Sequence, residues 1–522
     1  MCGIAALFSG TAGVPSPSPI ASVLGALRHR GPDGCAAATS GRTLLGHTRL
    51  AIIDPPGGAQ PMRGEDRRFA LVCNGEIYNH VRLRDRLGQS HHFQSLSDSE
   101  VVLHLYEDHG AGCVHELDGM FAFFATDGDR FVAARDAFGI KPLYVGWNGA
   151  TRCLWFASEF KALISHCEGF MALPPGSYLT QTGDVEQWFD PDWATTLGNQ
   201  APGSPSELRY RLEAAVVKRL MSDVPVGVFL SGGLDSSAVA MLAHQHIASV
   251  NTFAVGLAGA PDLEAARCVA KALGTRHHEC IYTSQDVAAV LEPVIYHLES
   301  YDPALIRSAV PCYFLSRLAA QSVKVVLTGE GADELFGGYA FFSGIRDPAL
   351  LHRECISLLQ NLHSMNLQRV DRMTMAHGLE GRVPFLDTAF VAWSMGLDPS
   401  LKLWDSGSIE KRLLRAAFQG CLPSEVLARK KLEFASGSGI EALLASHADS
   451  NVTDRDLASA VHHFPIDPPR TKEEVLYRRL FEGLFPGRWP LANVQKWRHL
   501  DCDEVTPRAF AVPARNRGTR YV

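Results

Sequence analysis

The chain of 522 residues is long enough for about two to four domains at the usual ~100–200 residues each. Its 46% hydrophobic and 20% charged residues exclude a disordered or collagen-like chain, and a net charge of -7 (49 Lys plus Arg, 56 Asp plus Glu) excludes a broad nucleic-acid-binding basic field. With no apolar run of about 18 residues, and with no basic n-region and only a short apolar stretch in MCGIAALFSGTAG, a cytoplasmic protein without membrane or nucleic-acid partners is expected.

The 12 cysteines include no C-x-x-C pair, so they read as reduced core residues rather than cysteine-ligated zinc or dithiol centres. Residues 1 to about 190 hold short β-type runs broken by Gly, Pro, Asn and Asp: GRTLLGHTRLAIID, RRFALVCNGEIY, GMFAFFATDGDRFVAARD, CLWFAS and GSYLTQ. They predict stacked, mostly antiparallel sheets. A helix is predicted over Ser97–His109, where SDSEVVLHLYEDH opens on capping Ser and Asp. The stretch TTLGNQAPGSPSE has no periodicity and marks a linker. The expected division is therefore a domain over 2–195, a linker over 196–206 and a second domain over 207–522.

From Glu207 a helix (ELRYRLEAAVVKRLM), a strand (VPVGVFL), a Gly-rich turn and a helix (SSAVAMLAHQHI) lead to VNTFAVGL, DLEAARCVAKALG and VKVVLTG. Strands alternating with helices predict βαβ units around a parallel sheet. Beyond about Leu350 the pattern is mainly helical, and the basic residues after Asp501 read as a surface tail. His104, His115 and the His277–His278 pair read as core or surface packing.

Cys2 follows Met1, and an initiator Met before a small residue is normally removed. The exposed α-amine, with a reference pKa of about 7.7–8.0, then serves as base for the adjacent thiol. On these residues alone, a second-position cysteine without a role reads as well. The rest of the half decides it: HRGPDG (His29–Gly34), HTRLAIID (His47–Asp54), GAQPM (Gly58–Met62), NGEIYN (Asn74–Asn79), SDSE (Ser97–Glu100), LDGMFAF (Leu117–Phe123) and ARDAFGIKPLY (Ala134–Tyr144) follow in order. With MCGI, this half resembles class II glutamine amidotransferases, N-terminal-nucleophile (Ntn) hydrolases with an αββα sandwich. The resemblance implies that Cys2 attacks the glutamine amide, giving a thioester and ammonia. It implies an oxyanion hole from the Asn74 side chain and the Gly75 N–H, with Asn79 supporting that loop. Arg49 would hold the substrate α-carboxylate, and Asp98 with Glu76 its α-ammonium.

VFLSGGLDSS, Val228–Ser237, follows a predicted strand and opens a helix. Gly232 and Gly233 allow close backbone approach to an anion, and Ser231, Ser236 and Ser237 add donors at a positive helix N-terminus. The loop lacks the Walker A pattern. It resembles the pyrophosphate loop of ATP pyrophosphatases, which adenylate an acceptor and release pyrophosphate. TFAVGL (Thr252–Leu257), LTGEGADELFGGY (Leu327–Tyr339), LEGRVPFLD (Leu379–Asp387) and RKKLEF (Arg429–Phe434) follow in order. Together the halves resemble glutamine-dependent asparagine synthetases to about Trp497. ATP would then contact Leu230, Ser231, Gly232, Gly233, Asp235, Ser236, Thr328 and Gly329, with Val255 lining the base. Asp235 and Asp333 would bind Mg²⁺, Lys431 would neutralise phosphate charge, and Glu330 would serve as base or orienting group for ammonia.

The resemblance implies glutamine, ATP and a carboxylate acceptor as partners, an apolar interdomain ammonia tunnel, and allows a homodimer. In ESYDPALIRSAVP, Glu299–Pro311, Arg307 stands as the acceptor's carboxylate anchor. Ala304 and Leu305 replace threonines of similar asparagine synthetases, so the acceptor stays open between aspartate, which is favoured, and another carboxylate. An intact Cys2 and Glu330 weigh against an intramolecular amide-forming ligase.

Overall fold

The computed structural model of the protein describes residues 2–11, 18–195, 202–405 and 407–496; the expected basic tail and residues 196–201 of the expected linker lie outside them. Two six-stranded antiparallel sheets build the first half. One runs Gly169–Ala172, Tyr144–Asn148, Cys153–Ala157, Gly3–Ser9, Thr43–Arg49, Gly34–Ser40, and the other Val185–Gln187, Ser177–Thr180, Phe131–Arg135, Gly119–Thr126, Ala70–Ile77, Met62–Arg63.

Strand alternation dictates how they stack. Ile4, Ala6 and Phe8 meet Val72, Ala122 and Phe124 of the other sheet in one buried cluster. The intervening Ala5 and Leu7 turn to the helix Ser18–Ala26 through Ile20, Val23 and Leu24. On the second sheet Leu71, Cys73, Phe121 and Phe123 face the helices His80–Leu87 and Glu100–His109. Period-two patterning on both sheets thus yields the expected αββα layering.

The second half is built on a five-stranded parallel sheet, ordered Arg276–Ile281, Asn251–Gly256, Val226–Phe229, Val325–Leu327, Glu380–Arg382. The strand order turns at Val226–Phe229: the chain builds outward on one side through Asn251–Gly256 and Arg276–Ile281, then crosses to the other side with Val325–Leu327 and Glu380–Arg382. The loops after Phe229 and Leu327 therefore open side by side at the carboxyl ends of their strands, where such sheets bind ligands.

Two boundaries differ from expectation. The helix expected from Glu207 runs Pro205–Lys218, because Ser204 caps it by accepting from the Glu207 N–H and Pro205 suits its first position. The helix expected from Ser97 starts at Glu100, because Asp98 accepts the Ile77 N–H at 2.7 Å instead of capping.

Candidate active sites

Cys2 is buried at the head of the strand Gly3–Ser9. Its N–H donates to Asn74 Oδ1 at 3.0 Å, an orientation that leaves Asn74 Nδ2 free; that nitrogen is buried without a hydrogen-bond partner. A buried amide donor left unpaired costs about 1–3 kcal/mol, and here it stands ready for an oxyanion. Gly75 has φ +149°, and a Cβ there would lie 2.0 Å from the Met120 carbonyl oxygen, so only glycine fits. Burial pushes the Cys2 thiol up while the positive amino terminus pulls it down. Sγ lies 3.9 Å from the Leu50 carbonyl oxygen.

Around this pair the substrate-binding candidates take different positions. Arg49, at the end of the strand Thr43–Arg49, donates to the Asp54 and Pro55 carbonyls, each at 2.8 Å. These bonds fix the direction of its guanidinium. Asp98 is buried, and burial raises its pKa. Glu76 is buried too, and burial and the Glu380 carboxylate raise it against the pull of Arg382. Its Oε1 is 3.1 Å from Arg382 of the second half, while Oε2 has no hydrogen-bond partner. Asn79 does not reach Cys2. It pins the segment before the strand Gly119–Thr126, donating to the Glu116 carbonyl and accepting from the Asp118 N–H.

A cleft of about 240 Å³ in the second half is lined by Leu230, Ser231, Gly233, Asp235, Ser236, Val255, Thr328, Gly329, Glu330, Asp333 and Lys431, among others. Gly232 turns the loop at φ +69°, where a Cβ would strike the Ala265 backbone at 2.3 Å. The helix Leu234–His246 then starts with its N–H groups toward the cleft. Ser231 and Ser236 hydroxyls meet at 3.1 Å, and buried Thr328 Oγ1 has no partner.

Across the loop Asp235 and Asp333 converge on two ammonium groups. Lys411 Nζ is 2.6 Å from each carboxylate, and Lys431 Nζ is 2.6 Å from Asp333 and 4.0 Å from Asp235. Burial opposes charge here, yet Lys411 and Lys431 hold Asp333 well below the carboxylate range and the carboxylates hold Lys431 well above the lysine range. Two hard carboxylates already gathering positive charge, with Asp235 Oδ1 left without a hydrogen-bond partner, fit a hard divalent cation such as Mg²⁺. Sequence reasoning missed Lys411. Its flag is structural, a non-glycine residue at φ 56° in the left-handed region, strained where it faces the cleft.

Arg307 requires a correction. It does not line the cleft; its guanidinium forms a bidentate pair with Glu473, with Nη2 at 2.5 Å. On the helix Pro303–Ala319, Ala304, Leu305 and Ser308 face the cleft and Arg307 faces away. Arg369, Arg415 and Arg429 line the cleft instead, and Arg369 is hydrogen-bonded to Glu330. Glu330 is thus ion-paired. Beside it buried Glu334, lifted to about 7 by burial and by Asp333, accepts the Tyr339 hydroxyl proton at 2.5 Å.

The two sites share a charged seam. Arg30, fully buried, donates from Nε to the Cys2 carbonyl at 3.2 Å and from Nη1 to Glu159 at 2.7 Å and Asp371 at 2.8 Å. Asp371 and Arg372 belong to the helix Asn366–Met375, which also carries Arg369. Arg30 lies within the HRGPDG motif, but its carboxylate partners, 129 and 341 residues away, left no sequence signal.

Residues 1–176 match the family profile described as a glutamine amidotransferase domain, and residues 207–347 and 344–502 match asparagine synthase. Glutamine-hydrolyzing asparagine synthetase 3 of Arabidopsis thaliana is 44% identical over 525 residues, covering 96% of this chain and 90% of the relative. Synthetase 2 of the same plant is 45% identical with the same coverage, and that of Triphysaria versicolor is 43% identical, covering 93% and 86%. Among solved structures, a glutamine phosphoribosylpyrophosphate amidotransferase from B. subtilis is 17% identical with a TM-score of 0.32, covers 83% of this chain and 99% of its own, and carries no weight here. With both sites assembled on one chain and such relatives along nearly all of it, the protein belongs to the glutamine-hydrolysing asparagine synthetase family.

Proposed function

We propose that the protein makes asparagine, amidating the β-carboxylate of aspartate with ammonia from glutamine and converting ATP to AMP and pyrophosphate. The observation that carries this reading is the pairing, in one chain with 44% identity to such synthetases, of Cys2 beside an unpartnered Asn74 amide with a pyrophosphate loop facing two carboxylates and two lysines.

At the first site the α-amine freed by Met1 removal takes the Cys2 thiol proton, and the thiolate attacks the glutamine amide carbon held through Arg49 and Asp98. Asn74 Nδ2 and the Gly75 N–H donate to the oxyanion; collapse expels ammonia, and water releases glutamate. At the second site Ser231, Gly233 and Ser236 direct donors at the ATP phosphates. Asp235 and Asp333 would hold Mg²⁺, which supplies charge neutralisation between the phosphate oxygens. Lys431 and Lys411, released from the carboxylates they bridge, face the negative charge that gathers as the acceptor oxygen attacks the α-phosphorus and pyrophosphate departs. Ammonia then attacks the acyl carbon, AMP leaves, and the nitrogen loses a proton toward the Glu330–Glu334–Tyr339 group. Ammonia passes between the sites inside the protein, unprotonated.

The apolar wall of Ala304 and Leu305 favours one second reading, the same two half-reactions on another carboxylate. Cys2→Ala should abolish glutamine-dependent synthesis and spare synthesis from ammonium. Asp235→Ala should abolish pyrophosphate release and spare glutamine hydrolysis. Equal loss of both activities in either variant would refute two independent sites.

A further inference from the structure

Away from both sites, three segments of the first half bring ligating side chains together. Glu65 lies after the strand Met62–Arg63, His91 after the helix His80–Leu87, and His104 within the helix Glu100–His109. One ligand atom from each lies within 4.8 Å of the others.

His104 is 1% exposed. Its Nδ1 lies 2.7 Å from Glu107 Oε2, whereas its Nε2 is buried with no hydrogen-bond partner. Glu100 Oε1 stands 3.7 Å from that nitrogen but already accepts the Gln94 N–H at 2.6 Å. A carboxylate on one imidazole nitrogen fixes the tautomer and points the other lone pair outward, as in metal-ligating histidines. The His91 ring stacks on His104 at 4.5 Å, and its nitrogens lie 3.3 Å from Glu107 and 3.1 Å from Asp108. Glu65 is oriented by the His92 N–H, which donates to its Oε1. Neither half-reaction uses any of these groups.

We propose that Glu65, His91 and His104 form a binding site for a Zn²⁺-class divalent cation, with Glu107 as the partner that orients His104. Two imidazole nitrogens and a carboxylate oxygen suit Zn²⁺ or Co²⁺, whereas Mg²⁺ and Ca²⁺ favour all-oxygen sets. The bound ion would clip the turn at Glu65, the loop leading from His91 to Asp98, and the helix of His104 into one unit.

The test uses the full-length protein, stripped with chelator and free of Mg²⁺, titrated with Co²⁺ and then Zn²⁺. The expected result is one visible-band Co²⁺ complex displaced by one equivalent of Zn²⁺. Rim variants His91→Ala and Glu65→Gln should weaken binding about tenfold or more and keep the metal-free unfolding midpoint. Unchanged stoichiometry and affinity in both would place the metal elsewhere, at exposed Cys35 and Cys268 or at Asp235 and Asp333, and overturn the proposal. So would the absence of binding tighter than millimolar.

Discussion

In the proposed mechanism glutamine chemistry turns on the Asn74 amide, whose one end is fixed by Cys2 and whose other is buried and unpaired. Asn74→Ala removes the oxyanion donor without touching the second half. Glutaminase kcat should fall by about 10²–10³, roughly 3–4 kcal/mol of barrier, while synthesis from ammonium holds its rate in a coupled pyrophosphate assay. Individual residues were legible where a motif fixes the backbone, as at Gly75 and Gly232, since a required conformation shows in residue type. They were illegible where the question was direction. Arg307 and Ala304 sit three positions apart on one helix, yet one meets Glu473 and the other the cleft. Only the packing of the helix bearing Glu473 settles which face is which. Arg369 was missed for the same reason, as a basic residue in ordinary helical sequence, and Lys411 because nothing in its residue type marks the left-handed turn before Arg412.

At the scale of elements, Asp387 joins two helices. Its Oδ1 accepts the Ala389 and Phe390 N–H groups, capping Thr388–Gly396, and its Oδ2 pairs with Lys218 and Arg219 at 2.8 and 3.1 Å. Burial raises its pKa, but Arg219 and Lys218 prevail and hold it at about 2, against 3.8 for an ordinary aspartate. A pKa depressed on folding contributes stability that is complete above the unfolded value and lost as pH falls through the folded one. The difference corresponds to about 2 kcal/mol. Asp387→Asn should therefore lower the urea midpoint at pH 7, with a deficit that shrinks as pH falls from 5 toward 2. A deficit independent of pH would deny the ionic part. Strand periodicity and the Gly-rich loop revealed most of this level, because alternation in sequence is alternation in space. The start of the helix at Glu100 did not emerge, since Asp98 looks like a cap and is instead drawn to Ile77.

The whole molecule is held by a buried seam that no local pattern announces. Arg372 Nη2 pairs with Glu299 at 2.9 Å and its Nη1 with Glu159 at 3.3 Å, while Glu299 also accepts the Lys161 N–H. The Lys141 ammonium donates to the Gly381 carbonyl at 3.2 Å. These partners lie far apart in sequence, and buried charges are ambiguous from residue type alone. Arg372→Met leaves two carboxylates short of a cation in a dry environment. It should cost about 3–5 kcal/mol, lower the calorimetric midpoint, and raise the ratio of glutamate released to amide product. An unchanged ratio would separate the seam from the coupling of the sites.

That coupling is most simply tested with glutamine labelled with ¹⁵N at its side-chain amide, incubated with the protein, ATP, Mg²⁺ and aspartate, the products being read by mass spectrometry. Asparagine bearing the label, with AMP and pyrophosphate in equal amount, is the predicted result. Glutamate formed without labelled asparagine would contradict it, and would turn attention to a different carboxylate against Ala304 and Leu305.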